Sequence, residues 1–233
     1  GTGLTLLLIA SVTLNFLIAK QINRRTYAKK WLTVGIIGNV LLLVIFKYTG
    51  FFVENVGALF HTYTSDWVHI ALPIGISFYT FHGMSYVFDI YRGQQKATKN
   101  FIDYAFFVSF FPLLVAGPIE RANHLLPQVQ KKRTYSDVQW IEGARLILWG
   151  LFKKVVIADS LALIANPIFN DFSNQSSFML ILGAIAFSFQ IYGDFSGYSD
   201  IAIGSAKLLG FELLSNFKFP YFSRDIAEFW RRW

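Results

Sequence analysis

Read for its apolar and polar positions, the chain is a series of long uncharged runs separated by short basic clusters. Gly3 to Ala19 carries no charge and is followed by Lys20, Arg24, Arg25, Lys29 and Lys30. The charge comes after the apolar run and no small-residue cleavage site follows, unlike a signal peptide, so the pattern predicts a transmembrane helix with a cytoplasmic C-terminal end. Trp31 to Phe46 is a second uncharged run, in which Gly35 and Gly38 allow close helix approach. Lys47 to Asp66 is poor in basic residues and is expected to be an outward-facing loop. Trp67 to Phe88 lacks Asp, Glu, Lys and Arg, and Pro73 and Gly75 near its start predict a kinked span. Arg92, Lys96 and Lys99 place its far end in the cytoplasm.

The next run, Phe101 to Ile119, has basic residues on both sides, Lys96 and Lys99 before it and Arg121, Lys131, Lys132 and Arg133 after it. A full crossing would put one of those clusters outside. Pro112, Gly117 and Pro118 interrupt the run, so the expectation is a re-entrant segment that dips in and returns; a full span with frustrated charge is the alternative. Ile141 to Asn166 is a split hydrophobic helix with Lys153 and Lys154 near its middle and Asp159 beyond. Ammonium groups at that depth require carboxylate partners, water, or a strong tilt toward the interface. Asn166 to Ser177 reads as an external loop, and the uncharged Phe172 to Gly193 returns inward. Gly193 and Gly197 then form a small-xxx-small pair, with Gly204 further along. Bulk at Gly197 is expected to do more damage than bulk at Gly210, which falls near a predicted turn.

Composition agrees with this pattern. Hydrophobic residues make up 54% and charged residues 15% of 233, with 25 Phe, 11 Tyr and 6 Trp, and the mean hydropathy is +0.44. That describes a multi-pass membrane protein rather than a soluble domain. The net charge of +7 is spread over short clusters between apolar runs, which fits the positive-inside rule and not nucleic-acid binding. Without cysteine there is no disulfide framework, no thiolate nucleophile and no cysteine metal site. No repeat or low-complexity linker divides the chain, so residues 1–233 are expected to form a single all-α transmembrane domain with re-entrant and interfacial helices.

Candidate chemistry concentrates at the end of the chain. Asp194, Ser196, Tyr198, Ser199 and Asp200 follow an uncharged run, and intramembrane carboxylates usually face a protein interior or a water-filled cavity. Asp194 and Asp200 do not share a face of a regular helix, which argues against an acid/base dyad. Capping and ion pairing with Lys or Arg account for them as readily as lining a funnel does. Ile226, Phe229, Trp230 and Trp233 fall on one helical stripe, with Arg224, Glu228, Arg231 and Arg232 around it, as in an interfacial helix with a cationic face that meets membrane lipids. The histidines, His61, His69, His82 and His124, have no metal-ligand spacing, so no metal site is expected. Each suits packing or an interface. His82 stands out because an imidazole in a Phe- and Tyr-rich run needs a hydrogen-bond partner.

Five blocks in order, LPIGISFYTFHGMSYVFDIYRG, FFPLLVAGPIERA, GLFKKVVIAD, DFSGYSDIAIG and NFKFPYFSRDIAEFWRRW, together resemble the membrane-bound O-acyltransferase family. The likeness is to the bacterial branch that acetylates alginate, with the D-alanyl transfer proteins of teichoic acid synthesis more distant. The resemblance implies a multi-pass protein of the bacterial inner membrane that moves an acyl group, acetyl by this likeness, from a cytoplasmic donor toward hydroxyls of an exported polysaccharide. The donor would be acetyl-CoA or an acyl carrier protein, no cofactor would be bound, and an extracytoplasmic acyltransferase would be a partner. Asp194, Ser196, Tyr198, Ser199, Asp200, Glu228, Trp230, Arg231, Arg232 and Trp233 would shape the funnel or its donor side. In the family the EFWRRW segment runs directly into an essential histidine and a second lies on a later helix, so no catalytic residue is expected within residues 1–233. The resemblance implies a chain cut at its C-terminus, and the absence of an initiator Met suggests the same at the N-terminus. A secondary transporter or flippase for a lipid-linked or anionic substrate is the alternative, since broken helices with carboxylates and basic clusters suit that class too.

Overall fold

The computed structural model describes residues 2–59, 72–114, 117–134 and 136–233. Every regular element among them is helical. Three helical stretches, Gly3–Asn23, Ala28–Leu59 and Ser177–Leu208, are long and apolar enough to cross a membrane by length and composition. The chain forms two compact units, residues 1–115 with 121–131 and residues 116–120 with 132–233.

The first unit is built on α1 (Thr2–Asn23), α2 (Ala28–Leu43) and α4 (Ile76–Tyr91), which pack against one another. Small and amide side chains set their closeness. A Cβ on Gly35 of α2 would stand 3.2 Å from Ile18 Cγ2, a tight approach, whereas one on Gly38 would be 3.5 Å from Leu14 Cδ2, an ordinary contact. Asn15 and Asn39 bridge α1 and α2 with two amide hydrogen bonds, Asn15 Nδ2 donating to Asn39 Oδ1 at 3.1 Å and Asn39 Nδ2 to Asn15 Oδ1 at 2.7 Å. Gly83 of α4 lies against this pair; a Cβ there would be 2.7 Å from Asn15 Nδ2. Buried Tyr79, Tyr86 and His82 continue along α4 toward α5 (Phe101–Ser109), where Tyr86 stacks on Tyr104 at 4.5 Å.

Two expectations are corrected here. Lys47 to Asp66 does not begin as a loop: α2 passes through a π-helical turn, Val44–Tyr48, into α3 (Thr49–Leu59). The segment holds no proline, and Lys47 rides on the helix with its ammonium 5.5 Å from the Tyr48 ring and 3.5 Å from Ser77 Oγ. Pro73 and Gly75 do not kink a span either. They form the turn that starts α4, with Gly75 in the left-handed region at φ 76° and its Cβ position 2.7 Å from the Leu114 carbonyl. The remainder of both expectations, with His61, His69 and Trp67, lies outside the described residues.

The re-entrant expectation has a geometric counterpart. At nine residues α5 is about 14 Å long, half of a ~30 Å hydrocarbon layer. Asn100 caps its start by accepting from Ile102 N, and the chain leaves the helix at Phe110 ahead of the Pro112 turn. α6 (Ala122–Gln130) packs back on α5. Gln130 at its end donates to Thr98 Oγ1 and Asp103 Oδ2, at 3.3 and 3.2 Å, back where α5 began. The chain that leaves along α5 thus comes back along α6 to the same end.

The second unit is an antiparallel helical hairpin. α7 (Asp137–Leu151) widens into a π-helical segment, Phe152–Ala158, and continues as α8 (Asp159–Asn170); α9 (Ser177–Leu208) runs back along all three. The expected external loop therefore shrinks to the few residues after Asn170. α9 is an unbroken 32-residue helix, about 48 Å, so its glycines pack rather than break it. Reciprocal glycine pairs bring the backbones together: Cβ atoms would sit 2.6 to 2.9 Å from the facing carbonyls at Gly143 and Gly204, and 2.5 to 2.8 Å at Gly150 and Gly197. Gly210 ends α9 in the left-handed conformation at φ 77°, with Phe211 N donating to Ala206 O and Gly210 N to Lys207 O. That corrects the idea that Gly210 readily accepts bulk: the strain there comes from the backbone, whatever the space around it.

Candidate functional site

The π-helical segment opposite the middle of α9 carries the buried-charge problem raised by the sequence, and α9 supplies its answer. Lys153 Nζ pairs with Asp200 Oδ2 at 2.6 Å, and Lys154 Nζ with Asp194 Oδ1 at 2.8 Å and Asp159 Oδ1 at 2.7 Å. The Lys153–Asp200 pair is the more enclosed, with side-chain exposures of 12% and 21%, against 28% and 43% for Lys154 and Asp194. The glycine contacts explain how the pairs form. With no Cβ at Gly150, Gly193 or Gly197, α9 lies against the backbone from Gly150 to Lys154, and the two adjacent lysines reach carboxylates on either side of the crossing. As expected, Asp194 and Asp200 act separately, each with its own lysine.

Beside the Lys153–Asp200 pair lies a cavity of about 320 Å³. Ser196, Ser199 and Asp200 of α9 form its polar wall with Lys153, Ser215 and Asn216, and Trp149, Ile157, Tyr192, Ile203, Phe217 and Phe219 its apolar wall. Asn216 Nδ2 donates to Ser199 Oγ at 3.2 Å. Ser196 is 2% exposed, and its hydroxyl has no hydrogen-bond partner among the described residues. The loop carrying Asn216 is fastened from outside the cavity: buried Glu120 accepts from Leu214 N at 2.9 Å, and Arg133 covers the Phe211 ring at 4.5 Å.

The remaining candidates form a second group. α10 (Ile226–Arg232) is capped by Asp225, which accepts from Glu228 N at 2.7 Å. Glu228 accepts from the Arg224 backbone N–H at 2.9 Å and from Arg232, and these bonds, that of Arg224 first, hold its carboxyl below the usual range. The expected apolar stripe divides. Phe229 and Trp233 turn inward to join Tyr192, Phe217 and Tyr221 in an aromatic cluster, Trp233 meeting Phe217 edge-on at 5.1 Å, while Ile226 and Trp230 stay exposed. Arg231 is exposed as well. Tyr198 is half-exposed, with Lys154 5.8 Å from its ring.

Of the residues marked in the sequence, the structure thus gathers Ser196, Ser199 and Asp200 on one cavity, with Trp233 reaching it through Tyr192. It sets Asp194 and Tyr198 around Lys154, and ties Glu228 to Arg232. Sequence reasoning missed Trp149, Tyr192 and Asn216; only the awkward depth of Lys153 hinted that α7 would contribute. Among the described residues no group of three His, Asp or Glu side chains is arranged to hold a metal ion. His82, 1% exposed, lies 5.4 Å from the Phe107 ring in the first unit, and neither of its nitrogens has a hydrogen-bond partner among the described residues. Chemically, the cavity offers hydroxyls, a carboxamide and an ion pair that can bind and orient a polar group; its lining holds no side chain that titrates near neutrality in its ordinary state.

Comparison with known proteins places this arrangement. The model of the membrane-bound O-acyltransferase family matches residues 93–233, which include the π-helical segment, the cavity and α10. A probable alginate O-acetylase of Azotobacter vinelandii is 43% identical over 97% of this chain and 46% of its own length. A peptidoglycan O-acetyltransferase of Helicobacter pylori is 36% identical over 97% of this chain and 48% of its own. A teichoic acid D-alanyltransferase of Bacillus subtilis is 27% identical over 69% of this chain and 41% of its own. The chain spans somewhat under half the length of these curated relatives. Each is named for moving an acyl or alanyl group, which gives the transporter alternative no support. The chain belongs to the membrane-bound O-acyltransferase family.

Proposed function

We propose that the protein is a membrane O-acetyltransferase that passes an acetyl group from a cytoplasmic thioester donor, acetyl-CoA or an acylated carrier protein, toward hydroxyls of an exported polysaccharide. It would act in the bacterial inner membrane as a multi-pass protein with an extracytoplasmic acyltransferase as partner. The relatives named for O-acetylation of alginate and of peptidoglycan support acetyl as the group and a polysaccharide as the acceptor. The observation that carries the reading is the cavity against α9. There Ser196 offers a buried hydroxyl without a partner, Asn216 and Ser199 are held toward each other, and an aromatic wall suits the uncharged part of a thioester.

The transfer needs an attacking hydroxyl oxygen, a base to take its proton, and cleavage of the C–S bond so that the sulfur leaves as a thiol. Histidine is the usual base near neutral pH. We assign that role to the histidine that the family motif puts directly after Trp233. The residues of the cavity orient the donor, and the Lys153–Asp200 pair sets a fixed charge pattern beside it. Replacing Ser196 with Leu in the intact protein would fill the cavity. Acetyl content of the surface polymer, measured in a strain lacking the wild-type gene, should fall at least tenfold while membrane abundance and melting temperature hold. Wild-type acetylation by Ser196→Leu would remove the cavity from the mechanism.

A further inference from the structure

A second cavity, of about 350 Å³, lies in the first unit between the α4–α5 loop, Gln95 to Asn100, and Leu126, Pro127 and Gln130 of α6. Its walls are built rather than draped. Gly93, at φ 75°, turns the chain out of α4, and Gln94 N donates back to Asp89 O at 2.9 Å. Ala97 N donates to Asn23 Oδ1 at 3.3 Å, and Thr98 N to the hydroxyl of the fully buried Tyr86 at 2.8 Å. Arg25 donates to Tyr91 O at 2.9 Å, which joins this loop to the basic α1–α2 turn. Two clusters that charge patterning assigns to the cytoplasm therefore meet at one end of the unit.

The side chains of this cavity are unbalanced. Lys96 and Lys99 are exposed, and neither has a carboxylate within ion-pair distance among the described residues. The nearby acid, Asp103, is already engaged by Asn100 Nδ2 at 2.9 Å and Gln130 Nε2 at 3.2 Å. Gln95 Oε1 is buried and accepts no hydrogen bond among the described residues, an unsatisfied state that a donor relieves. Two free ammonium groups beside one buried acceptor call for a ligand that is anionic and also carries a donor.

We propose that this cavity binds a phosphate group bearing an adjacent hydroxyl or amine: Lys96 and Lys99 take the phosphate oxygens and Gln95 accepts from the neighbouring donor. Two sources share that chemistry, the headgroup of a phospholipid in the cytoplasmic leaflet and a soluble phosphorylated nucleotide. The test uses the intact protein in nanodiscs of uncharged lipid, with dihexanoyl phosphatidylglycerol and coenzyme A as separate probes in titration calorimetry. At least one should bind, more weakly as salt rises. Lys96→Gln with Lys99→Gln should lose about tenfold per lysine, the worth of a charge-assisted contact. Gln95→Glu, which sets a carboxylate where the acceptor stood, should lose at least as much. Binding of the lipid probe alone identifies a lipid headgroup, and binding of coenzyme A alone identifies a soluble ligand. Failure of both probes to bind the wild type overturns the proposal. So does unchanged affinity in the double lysine variant, or undiminished binding to Gln95→Glu, the behaviour of diffuse surface attraction.

Discussion

Removing one member of the Lys153–Asp200 pair should cost far more than removing both. At 2.6 Å and an effective dielectric near 20, the Coulomb attraction is ~6 kcal/mol, most of it offset by the desolvation of two groups with exposures of 12% and 21%. Lys153→Met leaves Asp200 with no ammonium on an apolar helix pair, and Asp200→Leu does the same to Lys153; each should destabilise by about 3–5 kcal/mol. The double variant removes both desolvation penalties along with the attraction and should fall within about 1 kcal/mol of the wild type. A double-mutant cycle on the intact protein in detergent, with stability read from thermal unfolding, should give a coupling energy of about 5 kcal/mol or more, the sum of the single losses less the small loss of the double variant. Lys154→Met with Asp159→Leu is the control, because Asp159 is 51% exposed and a pair of that kind is worth ~0–1 kcal/mol. A coupling below about 0.5 kcal/mol for Lys153 and Asp200 would show that water or another group satisfies them, and would refute the reasoning.

Other expectations follow from single contacts. Gly150→Ala and Gly197→Ala each drive a methyl to within 2.5 to 2.8 Å of a facing carbonyl and should lower stability by about 1–3 kcal/mol, whereas Gly38→Ala, at 3.5 Å from its neighbour, should be nearly silent in the same melting assay. Gly210→Ala should cost about 1–2 kcal/mol through its positive φ alone, and Gly210→Asn, which tolerates that conformation, should recover part of it. In a cysteine-free background of the intact protein, Ser136→Cys should be shielded from an impermeant thiol reagent in whole cells while Ser176→Cys labels; external labelling at Ser136→Cys would reject a re-entrant Phe101 to Ile119. Glu228 has its folded-state pKa held below the ordinary 4.5, so its bonds to Arg224 and Arg232 stabilise α10 above that range and fade as pH falls through the lowered value. Trp fluorescence of the wild type and Glu228→Gln should therefore differ at neutral pH and converge in acid.

Much of the helical plan was legible because lipid burial demands long uncharged stretches, and Gly3–Asn23 and Ser177–Leu208 satisfy that demand on composition alone. The basic flanks on both sides of Phe101 to Ile119 conflict with a crossing, and the chain does come back to where α5 starts, but along α6, beyond that run. Reading Lys47 as the start of a loop failed because one cation that can lean on Tyr48 and reach Ser77 does not end a helix. The depth of Lys153 and Lys154 announced that carboxylates were needed, but which ones depended on how α9 crosses α7, and that crossing is set by Gly143 and Gly150. Those two glycines repeat at the same interval as Gly197 and Gly204, a signal available in the sequence once the helices are known to be partners. The π-helical turn and the position of Asn216 had no local signature, since both are fixed by contacts with distant parts of the chain.

The amide pair Asn15 and Asn39 bears on the order in which the protein is assembled. The two residues emerge ahead of α4, on consecutive helices joined by a short turn, and each would be costly to leave alone among lipid chains. Once paired, they hold the hairpin in one register, because a slip of one helical turn, about 5.4 Å, breaks both bonds together. α4 is made later and meets a completed hairpin that presents an amide knob, and Gly83 is its matching notch. Insertion can thus proceed as two sequential decisions: α1 and α2 choose their alignment first, and α4 then reads the result at a single position without a side chain.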